Sequence, residues 1–319
     1  MDNGAVRLIS FHAPLGPRLG VVLGDRAVAA ADLVPGGPAT MTELLAGGED
    51  ALATLRQAAR AAVAGAGPAR GSPDRASPAG ASSARLGRPL AAFRLAAPVP
   101  RPGKVVAIGR NYADHAAEGG AAPPHAPLIF AKWPSSVIGP GDDIRWDPAL
   151  TQQVDYEAEL GVVMGRTARR VTAEVALDYV LGYTCLDDVT ARDLQFGDRQ
   201  WVRGKSLDTF CPMGPALVTL DEFADHDDLA ITCRVNGELV QASRTSRMLF
   251  SVATIVAHCS QAFTLEPGDV IATGTPAGVG VYRDPPRFLG DGDVVSIAIE
   301  GIGELRNTCR LDRPPAGGP

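Results

Sequence analysis

Six short apolar segments, rich in valine, isoleucine and threonine, recur through the C-terminal part of the chain. They are KVVAIG, APLIFAK, AELGVVMG, LAITCRV, DVIATG and DVVSIAIE, with glycine, proline or aspartate at their boundaries. This composition and punctuation predict β-strands. Helical patterns are fewer, at 172–181 and 251–263, and they do not alternate regularly with the strands. The sequence therefore predicts a mostly β, α+β fold and argues against a doubly wound parallel sheet.

The N-terminal part of the chain has a different pattern. Residues 5–30 alternate between apolar runs and Gly-Asp turns, which predicts a small group of strands. A helix is expected over 41–64, because Thr40 and Glu43 have the spacing of a capping box and leucines follow at helical intervals. We interpret this part as a small α+β module.

A low-complexity segment follows the predicted helix. Residues 65–89 consist largely of alanine, glycine, proline and serine, a composition typical of a flexible loop or linker. The chain is therefore predicted to divide into a small N-terminal domain, residues 1–97, and a large C-terminal domain, residues 98–319.

Composition narrows the class of protein. The 319 residues carry a net charge of -6, which argues against non-specific nucleic-acid binding. Neither a secretory signal nor an apolar stretch long enough to cross a membrane is visible, so no membrane partner is expected. The five scattered cysteines lack C-x-x-C spacing, which favours reduced, buried thiols in a cytoplasmic protein over disulfides or a zinc site.

Two acidic motifs could hold a metal ion. Glu157 and Glu159 lie two residues apart in a predicted strand, so both carboxylates point to the same face. A cation, a pair of arginines or simple exposure to water could each relieve their repulsion. Asp187 and Asp188 begin a second polar run, which is either a charged loop or the source of a third ligand. An all-carboxylate site would suit Mg²⁺, Mn²⁺ or Ca²⁺ better than Zn²⁺ or Cu²⁺.

Three further motifs are weaker when taken alone. His115 and Glu118 are three residues apart, so on a short helix the carboxylate could orient the imidazole as a general base. The pair could equally be an ordinary surface pair, and Lys205 an ordinary surface lysine. The glycine-rich segment IATGTPAGVG lacks the pattern of a phosphate-binding loop, but its amides could bind a carboxylate.

These motifs occur in an order that resembles the fumarylacetoacetate hydrolase family, and in particular its acylpyruvase and isomerase-like branch. The matching stretches span residues 104–307 and are GRNYADHAAE, VDYEAELGVV, GYTCLDDVTARDLQ, GKSLDTFCPMGP, LEPGDVIATGTPAGVG, FLGDGDVV and GIGELRN. The resemblance implies a mixed β-sandwich roll as the catalytic domain, a homodimer, and Mg²⁺ or Mn²⁺ as the cofactor.

The resemblance also implies roles for individual residues. The metal ligands would be Glu157, Glu159 and Asp188, and the catalytic groups His115, Glu118 and Lys205. Substrate contacts would come from Arg110, Tyr112, Arg192, Gln195, Thr273, Gly274 and Thr275. Asp187, Arg247 and Trp133 depart from the residues that the family usually has at those positions, and these departures weaken the transfer of any one substrate.

The implied function is metal-dependent chemistry on a small 2-oxo acid. Hydrolytic C–C cleavage of a 2,4-dioxo acid of the acylpyruvate or fumarylpyruvate type is the first expectation. The alternative is decarboxylation, isomerisation or tautomerisation of an oxaloacetate-like acid, because these reactions share an enolate. A rival hypothesis from another class is a non-catalytic protein that has kept the fold. Such a protein would be expected to lack a metal-binding or catalytic residue, and all of these residues are present here.

Overall fold

The computed structural model describes residues 6–65 and 87–312. Its strands are β1 Arg7–Phe11, β2 Arg18–Leu23, β3 Arg26–Ala29, β4 Arg88–Pro89, β5 Leu95–Ala96, β6 Val105–Gly109, β7 Leu128–Lys132, β8 Val137–Ile138, β9 Asp143–Trp146, β10 Val154–Asp155, β11 Ala158–Met164, β12 Val180–Asp187, β13 Thr190–Ala191, β14 Cys211–Thr219, β15 Ala230–Val235, β16 Glu238–Arg244, β17 Val270–Ala272, β18 Val294–Ile299 and β19 Gly303–Leu311. Its α-helices are α1 Ala30–Leu33, α2 Met41–Gly65, α3 Ala113–Glu118, α4 Arg192–Gly197, α5 Val202–Lys205 and α6 Val252–Ala262.

One large mixed sheet forms the centre of the molecule. Its main strand order is β4-β3-β2-β1-β14-β12-β11-β17-β6-β7, with β5 paired to β1 and β8 paired to β14. The N-terminal strands are continuous with this sheet, because β1 runs antiparallel to β14 with Arg7 opposite Val218. Hydrogen-bonded strands therefore join the chain on the two sides of residue 97. The domain boundary at this residue stays a prediction.

A second sheet, ordered β16-β15-β18-β19-β9, provides the opposing layer. Apolar side chains from both sheets form one buried cluster, which includes Leu160, Val162, Ile231 and Ile297. Strand β11 has seven buried residues in succession, as expected for a strand covered on both faces. The prediction of a mostly β, α+β fold built on mixed sheets is confirmed.

The predicted helices have different outcomes. Helix α2 begins as expected, since Thr40 Oγ1 accepts from the Glu43 N–H, and Glu43 in turn accepts from the Ala39 N–H. Gly48 interrupts it with φ 60° and ψ -148°. The pattern at 251–263 forms α6, whereas the pattern at 172–181 forms the 3-10 helix Ala173–Tyr179 and the beginning of β12. The helical pattern predicted there is therefore confirmed as a 3-10 helix over Ala173–Tyr179 and wrong for its last two residues, which begin β12.

The low-complexity segment is only partly described. Residues 66–86 lie outside the described part of the chain, but Arg88 and Pro89 form β4 and pair with β3. Among residues 6–65 and 87–312, no helix combines the length and the apolar character needed to cross a bilayer.

All five cysteines are free and buried. Burial raises the pKa of the Cys185 and Cys211 thiols to about 12, which keeps both in the unreactive thiol form. The prediction that the cysteines are reduced and buried is confirmed.

Candidate active site

Three acidic side chains converge where β11 pairs with β12. The ladder places Ala158 opposite Asp187, and the Asp188 N–H donates to the Glu157 carbonyl at 3.0 Å. Glu157 and Glu159 flank Ala158 on the same face, so this register brings Asp188 beside them. One carboxylate oxygen from each of the three lies within 4.8 Å of the other two, and all three residues are buried.

Two of these carboxylates have cationic partners. Lys205 Nζ donates to Glu157 Oε2 and to Asp188 Oδ2, each at 2.7 Å. Arg192 Nη1 lies 2.7 Å from Glu157 Oε1, and Lys132 Nζ lies 2.6 Å from Asp188 Oδ1. Burial by itself would raise the pKa of Glu157, but Lys205 and Arg192 outweigh it and hold that pKa well below its usual value.

Glu159 is in a different environment. Its Oε2 accepts a hydrogen bond from the Gly274 N–H at 2.8 Å, and within the described residues no cationic side chain forms an ion pair with it. Burial, followed by the charges of Asp188 and Glu157, raises the pKa of Glu159 well above its usual value. The cluster therefore has a deficit of positive charge on the side of Glu159.

The donor set fits a hard divalent cation. Around the site, the described part of the chain buries five acids and three bases, and no histidine or cysteine shares the three-carboxylate cluster. The acids are Asp155, Glu157, Glu159, Asp187 and Asp188, and the bases are Lys132, Arg192 and Lys205. A divalent ion would balance this excess, and oxygen ligands are those that Mg²⁺ and Mn²⁺ prefer. Lys205, one of the three bases, already offsets part of the negative charge of Glu157 and Asp188.

The His115–Glu118 pair lies on the short helix α3. His115 Nδ1 and Glu118 Oε1 are 2.7 Å apart, so the pairing expected on a helix is present. Glu118 Oε2 also accepts from the Gly278 N–H at 2.8 Å, which attaches the pair to the glycine-rich loop. This arrangement leaves Nε2 of His115 as the ring nitrogen free to exchange a proton with a ligand.

A cavity of about 50 Å³ connects these groups. Its walls include eight of the residues predicted to form the site, namely Arg110, His115, Glu157, Glu159, Arg192, Gln195, Lys205 and Thr275. Asp188, Glu118 and Gly274 lie one layer behind, where they contact Lys205, His115 and Glu159 respectively. The structure thus gathers sequence motifs that are far apart in the chain around one small space.

Three predicted substrate contacts, Gly274, Thr273 and Tyr112, do not line the cavity. The Thr273 hydroxyl donates to the Leu160 carbonyl at 3.0 Å, which ties the glycine-rich loop to β11. Tyr112 is fully buried, and its hydroxyl has no hydrogen-bond partner among the described residues. Burial raises its pKa well above the usual value. Thr273 and Tyr112 therefore lie behind the residues that line the cavity.

Arg110 and Arg192 supply positive charge at two depths of the cavity. Arg192 is buried and donates to Asp155 and Gln195, while its Nη2 has no partner among residues 6–65 and 87–312. Arg110 is exposed at the mouth, with φ 55° and its guanidinium 5.8 Å from the Trp201 ring centroid. The cavity can therefore bind an anion with a second charged group.

Several contributors were missed from the sequence. Lys132 neutralises Asp188, and Asp155 accepts from Arg192 Nε at 2.8 Å. Trp201 and Tyr282 line the cavity. Asp155 could have been found because it has the same two-residue spacing to Glu157 that Glu157 has to Glu159. The other three stand in segments whose sequence carries no separate signal.

The departures from the family pattern have separate explanations. Asp187 points away from the other acids: its Oδ1 accepts from the Glu157 N–H at 2.9 Å, and its buried Oδ2 has no partner among the described residues. Burial raises the pKa of Asp187 to about 8, although the Glu157 N–H opposes the shift. Arg247 and Trp133 are exposed, and neither lines the cavity.

Comparisons with known proteins identify the family of the chain. The family model for the fumarylacetoacetate (FAA) hydrolase C-terminal domain matches residues 104–310. A Bos taurus protein named oxaloacetate tautomerase FAHD2B, mitochondrial, is 43% identical over 309 residues, which cover 95% of this chain and 91% of that protein. Oxaloacetate tautomerase YisK of Bacillus subtilis is 47% identical over 221 residues, covering 68% and 73% respectively.

A solved structure extends the match to three dimensions. Fumarylacetoacetate hydrolase from the psychrophile Exiguobacterium antarcticum superposes with a TM-score of 0.77 at 40% identity, covering 96% of this chain and 100% of that chain. The family match covers the whole region in which the three acids, the histidine pair and the glycine-rich loop meet. The chain belongs to the fumarylacetoacetate hydrolase family.

Proposed function

We propose that this enzyme interconverts the keto and enol forms of a short 2-oxo dicarboxylic acid of the oxaloacetate type. The observation that carries the proposal is the cavity in which a three-carboxylate site faces His115, with Arg192 and Arg110 at two depths. The names of the Bos taurus and Bacillus subtilis relatives support this reaction over C–C hydrolysis. Our first expectation from the sequence therefore gives way to its alternative.

Glu157, Glu159 and Asp188 would hold the metal, for which Mg²⁺ or Mn²⁺ is proposed. When bound, such an ion supplies Lewis acidity, which draws electron density from the keto group of the substrate and stabilises an enolate. Lys205 contributes a permanent charge: burial opposes its ionisation, but Asp188 and Glu157 raise its pKa above the usual value. The ammonium therefore stays charged beside the reacting group.

His115 is the proposed base. The Nδ1–H group of His115 donates to Glu118, which leaves Nε2 unprotonated and able to take a proton from the carbon next to the keto group of the substrate. Transfer of that proton leaves an enolate, whose oxygen then takes up a proton to give the enol. Only a C–H bond breaks, its electron pair forms the C=C bond of the enolate, and the proton held on His115 can pass to the enolate oxygen. No C–C bond breaks and no water is consumed, so one base suffices.

Two arginines and an amide would orient the substrate. Arg192 Nη2 is a buried donor without a partner in the described chain, and such a donor is costly unless a ligand satisfies it. Gln195 accepts from Arg192 through Oε1, so its NH₂ group remains available to the cavity. A carboxylate of the substrate fits beside these donors, and Arg110 can bind the second carboxylate at the mouth.

The test is to follow oxaloacetate added in its enol form, with Mg²⁺, Mn²⁺ or EDTA, by ultraviolet absorbance and by mass spectrometry. The proposal requires metal-dependent loss of the enol absorbance without release of pyruvate. Release of pyruvate and carbon dioxide at the same rate would identify a decarboxylase. Cleavage of an acylpyruvate with no effect on the enol would identify the hydrolase and overturn the proposal.

We also propose that the enzyme is a homodimer and that it is located in the cytoplasm. The homodimer implied by the family resemblance can be tested by light scattering on a sizing column. The cytoplasmic location expected from the sequence can be tested by cell fractionation.

A further inference from the structure

The glycine-rich loop 274–281 is attached on two sides. On one side, Gly274 N–H donates to Glu159 at 2.8 Å and Gly280 N–H donates to Asp155 at 2.7 Å. On the other side, Gly278 N–H donates to Glu118 at 2.8 Å. The loop therefore lies between the strand that carries the proposed metal ligands and the helix that carries His115. Its position decides where Glu118 can be held.

Gln241 connects this loop to the strand from the second sheet. Its side chain is buried on β16, and its Oε1 accepts from the Ala158 N–H, between the two glutamates, at 3.0 Å. Its Nε2 donates to Thr275 Oγ1 and to the Pro276 carbonyl, each at 2.8 Å. The Gln241 amide thus links the backbone of Ala158, on β11, to Thr275 and Pro276 at the beginning of the loop.

The middle of the loop packs directly on the same strand. Gly278 has φ +107°, and a Cβ placed there would come 2.2 Å from the Val240 carbonyl oxygen. Only glycine allows both this backbone conformation and this close approach. Strand β16 therefore supports the loop at two consecutive residues, Val240 by contact and Gln241 by hydrogen bonds.

We propose that Gln241 is a positioning residue that fixes the loop 274–281 against the Ala158 backbone and so holds Glu118 and His115 in place over the three carboxylates. Gln241 itself does not line the cavity. It acts through the amide of Gly278, which Glu118 needs as a donor. The consequence for turnover rests on the proposed function, whereas the placement of the loop does not.

The first test uses Gln241→Met, which keeps the length of the side chain and removes all three hydrogen bonds. Asn307→Leu is the matched control, because Asn307 is also a buried amide and donates to two backbone carbonyls, at Gly139 and Asp142. Hydrogen exchange is measured in both metal-free proteins. We expect exchange in 113–118 and 275–281 to be about tenfold faster in Gln241→Met and unchanged in Asn307→Leu.

Gly278→Ala provides a second route if Gln241→Met does not fold. The added methyl group must move the loop away from Val240, so the same two segments should lose protection. Protection that remains at the native level in 113–118 in either folded variant overturns the proposal. So does an equal loss of protection in Asn307→Leu.

Kinetics then test the effect on His115. In Gln241→Met, kcat should fall by about 10- to 100-fold through misplacement of the base, while KM changes by less than about threefold. A double-mutant cycle with Glu118→Gln should be strongly non-additive, because both changes act on the same contact. Additive effects would show that Gln241 has only a general structural role. If the variants show the predicted faster exchange but the unmodified enzyme has no tautomerase activity, the result counts against the proposed function alone.

Discussion

The three-carboxylate cluster and the His115–Glu118 pair face the same cavity, but the structure holds them by different means. Glu159 lies on β11, and Glu157 and Asp188 adjoin the paired ends of β11 and β12, where a backbone hydrogen bond between these two residues and burial fix their positions. The pair lies on a helix of six residues, with Glu118 tied to Gly278 and His115 packed 6.2 Å from the ring of Tyr282. The proposed metal ligands are thus held by the central sheet, here called the rigid layer, whereas the proposed base lies on a short helix that fewer contacts hold in place.

The largest effect should come from the rigid layer. Glu159→Ala removes the one proposed ligand without a cationic partner, so metal affinity should fall by more than the roughly 10- to 100-fold typical of a lost outer contact. Activity should be lost with it. Calorimetric titration with Mn²⁺ and an enol assay measure both, and Glu174→Gln, on the exposed surface, is the control. Full activity in Glu159→Ala would show that the metal site lies elsewhere.

A change on the helix should separate binding from chemistry. His115→Ala should lower kcat by about 10²- to 10⁴-fold, the usual contribution of a general base, and leave metal affinity nearly unchanged. The exposed His125→Ala is the matched control. Turnover at the normal rate would remove His115 from the mechanism, and a parallel loss of metal affinity would erase the distinction between the two regions.

The metal itself should stabilise the rigid layer. An ion at 100 times its dissociation constant adds about 2.7 kcal/mol to the free energy of unfolding, because it binds only the folded chain. The melting temperature should therefore rise by several degrees with Mg²⁺ or Mn²⁺ and return to its starting value with EDTA. Glu159→Ala should lose this response while His115→Ala keeps it.

The smallest effect is expected from Asp187→Asn. The amide oxygen can still accept from the Glu157 N–H, so activity should change by less than about threefold. The folded pKa of about 8 lies above the usual value of 3.8, so the native aspartate favours the fold below 3.8 and loses that contribution as pH rises towards 8. In EDTA, the asparagine variant should therefore gain relative stability over this range. Chemical denaturation at pH 5 and pH 8 measures the difference.

The same contrast explains what the sequence could predict. Side chains two residues apart in a strand point to the same face, so the sequence alone could predict that the carboxylates of Glu157 and Glu159 lie close together. The family resemblance selected Asp188 over Asp187, and the register of β11 and β12 explains this choice because it places Asp188 beside Glu157. For His115 and Glu118, local spacing allowed an ordinary surface pair, and only the family resemblance favoured a catalytic one.

What the sequence could not predict are contacts between distant segments. Lys132 and Gln241 reach the site from β7 and from the second sheet, and each looks like an ordinary strand residue in its own segment. The early end of the predicted helical segment 172–181 has a similar cause, because its last residues form the beginning of β12 in the central sheet. Tertiary pairing outweighed local propensity there.

The pairing of β1 with β14 affects how the chain must mature. Arg7 and Leu8 of β1 lie opposite Val218 and Leu217 of β14, so this part of the strand edge has no partner until β14 has been synthesised. Ser10 and Phe11 pair earlier, with β5. Contacts between such distant positions slow folding, because a long loop must close before they form. During that interval the amino-terminal hairpin presents an open edge to other chains, and shielding by a chaperone would matter most then.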